Sequence, residues 1–589
     1  MKRCVLLLTF FLSFTTLLYA ATNPEVARKR MLADLDFIKN SFETKYAPSL
    51  WKKDFIGWDA ERAYSIAKNK VLRLQQPTIK EYQIILKEFF QSPRDYHVSV
   101  AFFSTESAYL PFVVRGADDQ NLYKSRRYFI VHVDDAACSL AVGDEILSFN
   151  ADPIDVAVTK LRQTEIGENT KETDQARAEL ILTARSGAHG HVVPKGSVDI
   201  QVRRKASNRV ETVRLNWAYT EEKIRDFTTS KPPLLVSTAP SFEKNSKEQL
   251  KTLVNKMMMA PAVFEKGTPL LGRDSGHSVG AIKSFVPPLG KKLWEHDQNF
   301  DAYIFTVADK ALLPPGKSEL RVGYVRIPHY SADEREAEEF LNIISFFQNK
   351  TEAVVIDQIN NPGGSIFYLY ALASMLTDRP LSVPKHRIAL TQQEVYVAAV
   401  LLAGLEQVKD DYAAKLVFGD TVGGYPVDYK FVVATRAFCS HVIKEWEGGH
   451  LYTQPIHLFG VDMIHPHPRA RYTKPILLLI NELDFSSADF FPAILQDNKR
   501  ATLLGTRTAG AGGFVLAASY PNLLGIQAFH MTGSLALRDN QQPVENLGVQ
   551  PDVEYSLTTK DFQENYKPYV EKILKSLCKI CTPRITSTF

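Results

Sequence analysis

Cysteine is scarce in this chain, with five in 589 residues. Cys4 lies in the N-terminal leader, which leaves Cys138, Cys439, Cys578 and Cys581. Four thiols cannot staple a chain of this length, so a disulfide scaffold is excluded. Sparse cysteine also suits a protein whose final compartment is reducing. Cys578-Lys579-Ile580-Cys581 has CxxC spacing, but it sits near a terminus expected to fray, without the strand–helix context of a redox motif. Metal signatures are missing too. No HExxH or finger spacing occurs, and His465-Pro466-His467-Pro468 reads as a proline-broken loop. No GKS or GKT marks a phosphate loop. The net charge of +4 argues against a dedicated nucleic-acid binder. After the leader no apolar run reaches the roughly 20 residues of a membrane helix. The expectation is a protein with no metal, no cofactor, no nucleic-acid partner and no membrane anchor.

What is present is organised. Lys2 and Arg3 precede an apolar run from Val5 to Leu18, closed by Tyr19-Ala20-Ala21, which reads as a signal peptide over residues 1–20 and hence an exported protein. The remaining length suggests roughly three or four domains. Residues 21–108 read as a helical N-terminal region, with apolar residues at three- and four-residue spacing in Arg28 to Phe42 and Ile79 to Phe90. It ends in the breaker-rich Gln91 to His97 and the alternating Val98, Val100 and Phe102. Residues 109–225 read as short strands with one helix. Their Gly143-Asp144 turn, apolar strand, Asn150 turn and helix from Pro153 to Leu161 resemble a PDZ domain. Tyr109-Leu110-Pro111-Phe112 stands where a PDZ carboxylate-binding loop would be, without its glycines. Residues 226–292, rich in Pro, Gly and Met, lack regular pattern and read as a functional segment rather than a plain loop. Asp274, Ser275 and His277 there spell a triad in sequence, which carries no weight because triad members meet in space.

Residues 293–589 read as α/β. Val322 to Ile327 and Ala353 to Ile356 are strands, Glu336 to Phe347 a helix, and Asn360-Asn361-Pro362-Gly363-Gly364 a turn whose glycines permit close backbone approach to a ligand or oxyanion. Ile476 to Ile480 is a strand buried on both faces. A polar break follows, then Phe485-Ser486-Ser487-Ala488-Asp489 opens a helix. Two readings stand at Ser486. It caps the helix, in a capping-box-like pair with Asp489, or it is a nucleophile exposed at a strand–helix junction, with the next backbone N–H facing an oxyanion.

Three segments in order, Gly323 to Ile327, Asp357 to Gly364 and Ser486 to Asp489, together resemble the tail-specific (C-terminal-processing) serine protease family. Gly505 to Gly510 and Gly548 to Asp552 continue the match. The resemblance implies an α/β protease core with a PDZ-like module and the helical N-terminal region. It makes Ser486 the nucleophile, with the N–H groups of Ser487 and of Gly363 or Gly364 as the oxyanion hole. Typical members carry a general-base Lys in the glycine-rich turn, where this chain has Ala511. A secreted member that uses His, Ser and Glu instead is similar along the whole chain, and its catalytic positions match His97, Ser486 and Glu545. That similarity implies a homodimer, a zymogen silenced by an internal segment (here residues 226–292), and protein substrates of a host cell, into whose cytosol the enzyme is delivered. The rival expectation is a catalytically dead member that binds peptides.

Overall fold

The computed structural model describes residues 24–118, 126–134, 138–224 and 275–582. Residues 1–20, read as a signal peptide, and most of the 226–292 segment therefore lie outside the described residues.

The apolar stretches of the C-terminal half become one seven-stranded sheet whose spatial order follows the chain: β1 (Lys292–Asp297), β2 (Asp301–Val307), β3 (Leu320–Arg326), β4 (Ala353–Asp357), β5 (Ile476–Ile480), β6 (Thr502–Gly505) and β7 (Val553–Glu554). β1 to β3 pair antiparallel, and every pairing from β3 to β7 is parallel. The continuous apolar runs of β4 and β5 have a direct cause, since both faces are covered. Val354, Ile356, Leu478 and Ile480 enter one core with the helices Glu334–Lys350 and Ile366–Ser374. Val355, Leu477 and Leu479 enter the other, which they share with the PDZ-like module and the C-terminal helix Lys567–Cys581. That last helix corrects the expectation of a fraying end. Its apolar face packs against the sheet, and Cys578 is buried with its thiol free.

The PDZ-like module is a sheet ordered Phe112–Ala117, Arg127–Val133, Glu145–Phe149, Ser197–Arg203, Val210–Asn216, with the helices Ile154–Leu161 and Lys171–Ile181. The N-terminal region folds as the helices Pro24–Lys45, Ser49–Ile56, Ala60–Arg73 and Ile79–Gln91, all but the second with a buried apolar face. It does not stand apart from the rest. Its strand Ser99–Phe102 pairs antiparallel with Ile526–Thr532, Ser99 opposite His530, and its helices share a core with Phe529 and Met531. This pairing carries the loop before Ser99 to the C-terminal half. Among the described residues no helix is long and apolar enough to cross a membrane.

Candidate active site

Neighbouring parallel strands deliver their following loops to the same end of a sheet, which is where α/β folds build sites. β4 leads into Gln358 to Gly364, and β5 into Asn481 to Ser486. Asn side chains lash the two loops together. Asn481 Nδ2 donates to Asn360 Oδ1 at 2.8 Å, and the Asn360 N–H donates to Asn481 Oδ1 at 3.0 Å. The buried Asp484 carboxylate accepts from the N–H of Asn361 and from Gln358 Nε2, and burial pushes its acid well up from the usual range. The Phe485 N–H closes the junction on Asn361 O at 2.9 Å.

The helix Ser487–Asp497 starts at Ser486, which holds φ +57°, ψ −117°. A capping serine sits in the β region so that its oxygen can reach the N2 or N3 N–H. Ser486 is far from that region and makes no side-chain cap bond. The capping-box expectation thus fails at the serine, and the hydroxyl is left for other work on a residue that is 8% exposed. A non-glycine residue in such a conformation is strained, and strain of this kind gathers at functional sites. Asp489 keeps its own half of the pair, bonding back to the Ser486 backbone. Its buried carboxylate reaches the glycine-rich turn, accepting from Thr508 Oγ1 at 2.5 Å, Gly510 N–H at 2.8 Å and Ala511 N–H at 2.9 Å. Burial nevertheless pushes this acid up to about 6.

Gly363 lies against the junction at φ +88°. A β-carbon there would stand 2.5 Å from Phe485 O and 3.1 Å from Ser487 N, so only glycine allows the approach. The N–H of Gly363 is given to Asn361 Oδ1 at 2.8 Å. The Ser487 hydroxyl donates to Gly364 O at 2.7 Å. Among the described residues, the backbone N–H groups of Ser487 and Gly364 donate to no protein acceptor. Of the sequence-read oxyanion donors, Ser487 and Gly364 are therefore open and Gly363 is committed.

His97 stands just before the strand that joins the two halves. It is 2% exposed, and both ring nitrogens are buried without a hydrogen-bond partner. Burial holds its imidazole down at about 4, against the pull of Asp95, with His530 and Lys52 adding to the depression. Asp95 fixes the loop: its carboxylate accepts from the His97 N–H at 2.8 Å, Tyr46 Oη at 2.9 Å and Thr532 Oγ1 at 2.8 Å. Glu545 is fully buried. Its Oε2 accepts the Gly512 N–H at 3.0 Å, and its Oε1 accepts Lys52 Nζ at 2.5 Å. Burial and then Asp95 push this carboxyl up to about 8, while Lys52 and the Gly512 N–H pull the other way. Neither Ser486 nor Glu545 is hydrogen-bonded to the His97 ring.

Adjacent N–H groups of one turn, Ala511 and Gly512, thus tie the serine's helix and Glu545 to a common support. Sequence reasoning missed Asp95 and Lys52. Asp95 was legible as a short carboxylate two residues before a candidate histidine. Lys52 had no signal, being one of three lysines within nine residues of an amphipathic stretch. His277 is brought elsewhere, stacked on Phe285 and hydrogen-bonded to Tyr566 Oη at 2.6 Å. Beside Phe485 lies a cavity of about 140 Å³ whose lining includes Phe90, Val98, Ile166, Arg177 and His530.

Known proteins match this architecture. Residues 321–555 match the model of peptidase family S41, and residues 106–224 match a PDZ domain model. An uncharacterized protein of Chlamydia muridarum is 38% identical, the alignment covering 98% of this chain and 97% of that protein. A protein of Chlamydia pneumoniae is 35% identical over 96% and 92% of the two chains. The crystal structure of mature CPAF, the chlamydial protease-like activity factor, superimposes with a TM-score of 0.81 at 36% identity, covering 94% of this chain and 98% of that one. A structure of mature CPAF complexed with lactacystin gives the same TM-score.

Proposed function

Because this chain belongs to peptidase family S41 and is a serine peptidase, we propose that it is an endopeptidase working through Ser486, His97 and Glu545 by way of an acyl-enzyme. The observation that carries the reading is the backbone of Ser486. Its strained junction leaves the hydroxyl free of cap duty, with two open N–H donors, Ser487 and Gly364, on the loops beside it. A serine hydroxyl needs a base, and a neutral imidazole supplies one near pH 7. His97, held neutral by burial, takes the proton as Ser486 Oγ attacks the scissile carbonyl. The two open N–H groups receive the oxyanion, each worth roughly 3–4 kcal/mol in the transition state. Glu545 stabilises the imidazolium, directly or through a water. The His97 nitrogens have yet to engage Ser486 and Glu545, which fits a resting precursor whose constellation closes on activation.

The same reading takes residues 1–20 as an export signal, residues 226–292 as the inhibitory segment of a zymogen, a homodimer as the assembly, and host-cell proteins as substrates after delivery to the host cytosol. The chlamydial relatives and the mature form in which CPAF is described support it. A peptide-binding role without catalysis has less to stand on. In the PDZ-like module the Leu110 and Phe112 N–H groups are spent on Thr183 O and Leu110 O, and the strand-edge N–H of Gly116 is taken by Glu179. The test is cleavage of an unstructured protein substrate by the purified chain beside Ser486→Ala. Cleavage by the first alone is expected, and equal cleavage by both would overturn the assignment.

A further inference from the structure

The least expected group in the site is a lysine. Lys52 lies on the N-terminal helix Ser49–Ile56, yet its side chain is 0% exposed and ends on the far side of the chain's sequence. Its Nζ has three acceptors: Arg94 O at 2.7 Å, Asn546 Oδ1 at 2.7 Å and Glu545 Oε1 at 2.5 Å. Three acceptors around Nζ match the three donors of a lysine ammonium, so the group is committed on every side. The partners are themselves fixed. Asn546 Nδ2 donates to Arg94 O and to Asn169 Oδ1, and Trp51 Nε1 donates to Asn546 Oδ1. Glu545 is held on its other oxygen by Gly512.

We propose that Lys52 is a positioning residue for catalysis: its buried Nζ fixes the place of the Glu545 carboxyl and draws it toward its ionised form, so that it can support His97. The inference rests on the role given to Glu545 above. Glu545 gains one hydrogen bond from the Gly512 N–H and faces a second carboxylate, Asp95, so without a cation it is a buried anion beside another. The other titratable groups around the pair are His97, His530 and Tyr46. Tyr46 is neutral, and burial keeps His97 unprotonated. Lys52 supplies that cation from a segment nearly 500 residues away in sequence. The turn next to the nucleophile meanwhile carries Ala511 and spends its N–H groups on carboxylates.

The test is a cycle of Lys52→Met, Glu545→Gln and the double variant in the full chain, with kcat and KM for a protein substrate followed from pH 6 to 10.5. Removing an opposite charge at this range raises a carboxyl by about 1–3 pH units. Lys52→Met is therefore expected to lower kcat more than it raises KM, and to move the acidic limb of kcat upward by that amount, so that activity returns at high pH. Leaving one buried partner unpaired also destabilises the fold. The double variant, a neutral pair, restores folding if the single variant loses it. It is expected to turn over within about twofold of Glu545→Gln alone, because Lys52 acts through Glu545. A pH-independent loss in Lys52→Met would overturn the proposal. So would a double variant more than about tenfold slower than Glu545→Gln. Wild-type turnover in Glu545→Gln would remove Glu545 itself from the mechanism, and Lys52 with it, while Ser486→Ala separately reports on the nucleophile.

Discussion

Gly363 and Ser486 are packed so closely that a β-carbon on Gly363 would stand 2.7 Å from the β-carbon of Ser486. Gly363→Ala must therefore displace Ser486 or its loop, in addition to the roughly 1–2 kcal/mol of placing a non-glycine residue at positive φ. Turnover is expected to fall at least a hundredfold. Gly57→Ala, at φ +67° with nothing within 4 Å of the new carbon, carries only the conformational cost and is expected to keep its rate. Steady-state kinetics with melting curves separates the two. A fully active Gly363→Ala would show that the loops do not constrain each other.

Ser487 and Ser486 are adjacent, and the proposed mechanism gives them different roles. Ser487→Ala removes one buried hydrogen bond to Gly364 O and leaves the backbone N–H in place. A loss of about 1 kcal/mol in stability with a rate within a few fold of wild type is expected. Thermal unfolding and single-turnover cleavage check this. A dead Ser487→Ala beside an active Ser486→Ala would exchange the two assignments.

Glu545→Gln keeps the shape of a fully buried side chain and removes its capacity to ionise. Support for an imidazolium matters only in the transition state, so kcat is expected to drop by ten- to a thousandfold with KM changed little. A rate equal to wild type would assign Glu545 to the packing of its loop.

Burial of His97 sets a pH dependence of stability. Its folded value, about 4, lies below the ordinary 6.5. Above pH 6.5 neither state is protonated and the full stability is present. As pH falls from 6.5 toward 4 the unfolded chain takes up a proton that the folded chain refuses, so stability is lost, on the order of 3 kcal/mol at the low end. His191, His277 and His386 shift the same way, so the measurement is a difference. His97→Gln is expected to lose less stability than wild type between pH 6.5 and 4.5. Parallel curves would mean His97 is not desolvated in the folded protein.

Maturation gives a further outcome. On purification, wild type is expected to be cut within residues 226–292 as activity appears, while Ser486→Ala remains full length until active enzyme is added. Undiminished activity in an uncleavable full-length form would refute the inhibitory role.

The α/β core was legible because its signal is local. The run Ile476–Ile480 has no polar position and is buried throughout, as a strand covered on both faces must be. Thr502 and Ala353 begin their strands where the apolar pattern begins. The helix from Ile79 was readable from its three- and four-residue apolar spacing, and the structure adds a capping box of Thr78 and Glu81 at its start. Ser486 shows the limit. Its neighbours spell a capped helix, and only φ, fixed by contacts from Gly363 and Asn361, separates a cap from a free hydroxyl. Lys52 lay beyond local reach, and Asp95 offered only its place two residues before His97. The meaning of each comes from residues 437 to 493 positions away, brought close when Ser99–Phe102 pairs with Ile526–Thr532.

The most direct measurement is covalent labelling of the active chain with a fluorophosphonate that reacts only with activated serines, followed by peptide mapping. The expected result is a single adduct on Ser486, absent from Ser486→Ala and from the denatured protein. An adduct on Ser487, or hydrolysis that persists in Ser486→Ala, would contradict the assignment on which the mechanism rests.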